Sequence, residues 1–135
     1  MAYRPSTKAT GIVVVRNEAA AKPGRKMRRY SRVREKLSKA LHRLATREGD
    51  VRERLRAAHW VLAQLRASEL PPELREDWQS IMNRLTRRGP ERGPNGDVWA
   101  DALEHTMSSI RNSTGRVIAN DVYRLYMNFV TAYGL

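Results

Sequence analysis

A chain of 135 residues with 26 Lys/Arg against 14 Asp/Glu, a formal net charge of +12 and no cysteine has room for one compact core; disulfides and thiolate metal centres are excluded. No apolar run approaches the length of a membrane span, and Met1 to Ser6 lack the hydrophobic core of a signal peptide, so a cytoplasmic protein with no membrane partner is expected. The charge is unevenly placed: residues 1–47 carry fourteen Lys/Arg against Glu18 and Glu35, whereas residues 48–135 carry twelve Arg against twelve Asp/Glu.

Residues 1–24 read as a flexible basic arm. Within it, residues 11–16 hold the four consecutive β-branched residues Ile12, Val13, Val14 and Val15, the one convincing strand signal in the chain. This strand has no evident partner in the sequence. It is expected to lie on the protein's own helices, to build a homodimer, or to add to a sheet edge of another protein. Pro23-Gly24 ends the arm in a turn, and residues 25–135 form a single helical domain.

The first helix is expected from Ser31, as N-cap, to about Glu48, with Val33, Leu37, Leu41 and Leu44 as its apolar stripe and cations around it. Gly49 closes it. Asp50 caps a second helix over about 51–67, with Glu53 completing an Asp form of the capping box. Leu70-Pro71-Pro72-Glu73 punctuates the chain, and a third helix follows over about 72–87 with Leu74, Trp78, Ile81, Met82 and Leu85 on one face. Residues 89–96 read as loop, 97–111 as a fourth helix, 112–115 as a joint and 115–130 as a fifth helix. The fold class is therefore all-α: about five amphipathic helices in a compact bundle or orthogonal array behind an extended N-terminal arm containing one short β-strand. Trp78 belongs to the core on this reading. Trp60 and Trp99 fall beside their stripes and are expected to widen the core face, an exposed pair being instead a protein-binding hot spot.

Motifs for catalysis are missing. His42, His59 and His105 fall on three different predicted helices, with no His-Glu-x-x-His spacing, and the glycine-rich stretch 89–96 lacks the Lys-Ser/Thr ending of a phosphate-binding loop. No enzyme activity, cofactor or metal is expected. The densest chemistry is cationic: Arg25, Lys26, Arg28, Arg29, Arg32, Arg34, Lys36 and Lys39 place eight cations in fifteen residues, with Arg43 further along and Tyr30 among them as a base-stacking or packing ring. The fourth and fifth helices make a poor helix-turn-helix, because the fifth is more apolar than a recognition helix. The first helix, with the arm in an adjacent groove, is the better fit to DNA.

Arg47-Glu48-Gly49-Asp50-Val51-Arg52-Glu53-Arg54-Leu55, then Glu69 to Arg75 and Ile81 to Thr86, resemble small uncharacterised phage- and prophage-encoded helical proteins. The resemblance covers the middle third of the chain and carries over no functional residues. It implies a mobile-element setting, in which short basic proteins regulate transcription or interfere with host machinery.

The leading expectation is a non-enzymatic, regulatory or architectural protein that binds DNA or RNA through residues 22–43. The alternative is a protein-interaction module, such as a phage-encoded inhibitor of a host enzyme or defence complex. In that case the basic face docks on an acidic partner and residues 12–15 add a strand to it.

Overall fold

The computed structural model describes residues 30–134. The arm, the expected strand through Ile12, Val13, Val14 and Val15, and the cations Arg25, Lys26, Arg28 and Arg29 lie outside the described residues. Five α-helices are found among the described residues: α1 (Ser31–Thr46), α2 (Val51–Leu62), α3 (Pro72–Leu85), α4 (Ala102–Ser109) and α5 (Asn112–Tyr133).

Helix α1 buries Val33, Leu37 and Ala40, a stripe at helical spacing, against α2. Ser31 is its first residue and not its cap. Tyr30 holds the N-cap position, and its ring turns inward, edge-on to Phe129 and tilted over Tyr133. At Gly49, φ is +98°, a left-handed turn that glycine adopts without strain. Asp50 then caps α2 by accepting the N–H groups of Arg52 at 2.9 Å and Glu53 at 3.2 Å. The hydrogen bond from the Arg52 side chain is the main reason its carboxyl lies below the ordinary range. Glu53 does not complete the expected box, since its carboxylate pairs with Arg56.

Helix α2 stops at Leu62, short of the expected 67. The chain tightens into turns, with Gln64 N–H on the Val61 carbonyl and Leu65 N–H on that of Leu62, and passes through a 3₁₀ turn, Ala67–Glu69, before Pro72 opens α3. Trp78 is a core residue as expected, and its indole N–H reaches the Leu62 carbonyl at 3.3 Å, a second donor to an acceptor at the end of α2.

The stretch expected to be loop and then helix is a small hairpin. Strands β1 (Glu91–Arg92) and β2 (Val98–Ala100) pair antiparallel, Glu91 opposite Ala100 and Arg92 opposite Val98. This register leaves Trp99 as the extra residue of a bulge. The turn at 93–96 closes with Gly96 N–H on the Gly93 carbonyl at 3.0 Å, with Pro94 pre-setting the backbone at its second position. Asp101 then caps α4 by accepting the Glu104 N–H at 2.8 Å. Residues 97–101 are thus lost from the expected fourth helix.

Helix α5 absorbs the expected joint at 112–115 into its first turn and runs on to Tyr133. It packs against α1, α2 and α3 and buries Gly115, Ile118, Val122, Leu125 and Phe129. Val117, on the same helix, is exposed.

Candidate functional site

The cations of α1 lie along its seam with α2 and its contact with the end of α5, and their acceptors differ in kind. Arg32 is met by a charge: its Nε donates to Glu69 at 2.8 Å, while its terminal nitrogen reaches the Gln64 carbonyl at 2.8 Å. That hydrogen bond is the first cause of the lowered Glu69 pKa. Arg43 donates to the Ala57 carbonyl at 3.1 Å and Lys36 to the Gln64 side-chain oxygen at 2.8 Å. Arg34 donates to the carbonyls of Tyr133 and Gly134 and lies 5.3 Å from the centre of the Phe129 ring. Lys39 is half-exposed and 3.9 Å from Glu35 on its own helix.

These contacts sort the expected binding residues. Arg34 is a clamp on the last turn of α5, where orphan carbonyls gather. Tyr30 takes the packing role, because its ring is buried between α1 and α5 and has no face open to stack a base. Arg32, Lys36, Lys39 and Arg43 remain on one side of the molecule with their heads at the surface or along the α1–α2 seam.

Beside that seam, His59 and Trp60 of α2, Ala63 and Gln64 in the turn after it, Thr86, and Asp101, Ala102 and Leu103 at the start of α4 line an open groove of about 520 Å³. Its size lies within the ~300–1,000 Å³ typical of small-ligand sites, and its walls are mostly apolar. The Trp60 side chain is 69% exposed, which overturns the expectation that it widens the core. Trp99 is 66% exposed on the hairpin and is corrected in the same way. The reason is local in each case. Trp60 lies on the flank of α2 that neither α5 nor α3 covers, and the bulge directs Trp99 over the hairpin's own backbone, against Gly93.

Two of the cations meet the chain on either side of Trp60. Arg43 reaches the carbonyl of Ala57, three residues before it on α2, and Lys36 the side chain of Gln64, four residues after it in the turn that follows the helix. The groove has a polar end. Asp101 uses Oδ1 for the Glu104 N–H, and Thr86 donates its hydroxyl proton to the Met82 carbonyl at 2.9 Å. His59 is half-buried; desolvation lowers its pKa and the Asp101 carboxylate pulls the other way, the burial effect being the larger.

The cations are legible in the sequence and the groove is not. Its one signal is that Trp60 stands off the apolar stripe of α2. The partner residues 86 and 101–103 lie far along the chain, and Asp101 falls inside the fourth predicted helix. The other two expected histidines do not join His59: His42 is exposed on α1, and the His105 ring contacts the Gly89 carbonyl at 3.0 Å. Among the described residues, no group of three or more His, Cys, Asp or Glu is placed to hold a metal ion, and no helix is long and apolar enough to cross a membrane. No family model, curated protein or solved structure matches the chain.

Proposed function

We propose that this is a non-enzymatic nucleic-acid-binding protein, regulatory or architectural in role and at home in a phage or mobile element, which grips phosphates with its N-terminal cations and with the α1 side of the domain. The observation that carries the reading is how the α1 cations are held. Lys36 and Arg43 are oriented by uncharged oxygens, so they are fixed in place and keep their full charge for an anionic partner. Residues 30–134 retain eighteen Lys/Arg against thirteen Asp/Glu, and the eight cations before them add to the same sign.

Fluorescence anisotropy with labelled DNA and RNA at two salt concentrations tests the proposal. If about six phosphates are contacted, the log–log salt slope is near −5. No binding to DNA or RNA at about 50 mM salt sinks it. The alternative, a protein-interaction module such as an inhibitor of a host enzyme or defence complex, is favoured by the Trp99 indole exposed on the hairpin. A pull-down from nuclease-treated host lysate separates the two, because a partner retained without nucleic acid supports the module.

A further inference from the structure

A tryptophan left largely in water beside an apolar groove is surface that a ligand gains by covering. Three features define what fits here. The indole offers a flat π-face, which every nucleobase matches, and stacking of that kind is tolerant of sequence. Lys36 and Arg43 are held on Gln64 and Ala57, four residues after and three residues before Trp60, so anionic groups on either side of a stacked ring have a cation to reach. The polar end of the groove accepts hydrogen bonds. The Asp101 Oδ2 atom has no hydrogen bond among the described residues, and the Thr86 oxygen keeps lone pairs after donating its proton. A base edge carrying an amino group supplies a donor to these two oxygens, and carboxylates read the cytosine amino group in this way.

We propose that this groove takes one unpaired base of a single-stranded nucleic acid, stacked on Trp60 and read through its amino group by Asp101, with the adjoining phosphates on Lys36 and Arg43. The inference rests on the nucleic-acid reading above and narrows it from any polyanion to an open strand with an amino-bearing base. A duplex hides both the base face and the paired edge, so it reaches the cations but not the groove. Thymine and uracil stack on Trp60 but leave Asp101 without a donor.

Anisotropy titrations of the full chain with labelled oligo(dC), oligo(dT) and a duplex of equal length test this, alongside W60A and D101N. Thermal melts confirm that both variants fold; asparagine keeps the α4 cap. Expected are tighter binding of oligo(dC) than oligo(dT), a loss on the order of tenfold for both single strands in W60A with duplex affinity unchanged, and loss of the dC-over-dT preference in D101N. Trp60→Phe, which keeps a stacking face, recovers part of what W60A loses. If the oligonucleotides bind but W60A and D101N match the unsubstituted chain, this groove is not a base site and the broader proposal stands; a groove that serves a protein partner gives that same result. Failure of every oligonucleotide and duplex to bind overturns both.

Discussion

The Trp99 indole is packed on Gly93 so closely that a Cβ at residue 93 would stand 2.3 Å from the ring. Both residues belong to the hairpin, one as the extra residue of its bulge and the other at the start of its turn. The contact explains how a hairpin whose strand residues 91, 92, 98 and 99 are all exposed holds its shape beside a helical core. Gly93→Ala is expected to expel the indole and loosen residues 91–100. Trypsin then cuts faster after Arg92, while the melting temperature moves little because the hairpin contributes no buried core residue. An unchanged rate of cleavage at Arg92 contradicts this.

Gly115 is a second close approach, this time inside the core. A Cβ there would lie 2.8 Å from Cγ1 of Val51, at the crossing of α2 and α5. Alanine gains up to about 1 kcal/mol in helix propensity. Pressing a methyl group onto a β-branched neighbour with one preferred rotamer costs about 1–3 kcal/mol. Gly115→Ala is therefore expected to destabilise the fold by up to about 2 kcal/mol in denaturant unfolding. The same substitution made in a Val51→Ala background removes the obstacle and is expected to stabilise that variant. A double-mutant cycle without this change of sign rules out the steric account.

These two glycines serve contacts that no local sequence pattern encodes. The five-helix core was legible because its residues recur at 3–4 spacing on single helices, and Asp50 and Pro72 mark element starts by chemistry confined to one or two turns. At Asn112-Ser113-Thr114-Gly115 the composition of a joint was present, but the glycine is there to let α5 approach Val51, a contact sixty-four residues away in the chain. Residues 97–101 fall within the fourth predicted helix, but the turn at 93–96 and the bulge at Trp99 act on the same residues and prevail. The cations were visible as a cluster, yet which of them clamp a carbonyl and which face outward depends on α2, Glu69 and the end of α5.

His59 gives the groove a pH signature. Burial lowers its pKa from the ordinary ~6.5. The native state therefore holds the imidazole neutral where the unfolded chain has begun to protonate it. Stability is full above about pH 6.5 and declines as pH falls from there through the lowered native pKa. Replacing His59 with glutamine is expected to flatten this part of the stability curve. Because the Asp101 carboxylate opposes the effect of burial, Asp101→Asn is expected to lower the His59 midpoint further in an NMR titration of its ring proton. An upward movement on that substitution means that Asp101 does not face His59.

Arg34 and Lys39 stand one turn and a half apart on α1 and belong to the same cationic cluster, but their surroundings predict opposite phenotypes. Arg34 holds two backbone carbonyls at the end of α5 and lies over Phe129, whereas Lys39 has, among the described residues, only a 3.9 Å approach to Glu35 at the surface. Arg34→Ala is expected to lower stability by about 1–3 kcal/mol and to speed amide exchange in the last turn of α5. Its salt slope for DNA stays that of the unsubstituted chain. Lys39→Ala is expected to leave stability within about 0.5 kcal/mol and to reduce the salt slope by about 1, the mark of one lost phosphate contact. Should Arg34→Ala reduce the slope while leaving the melt unchanged, the clamp on α5 is not its role, and the arginine belongs with the phosphate-binding set after all.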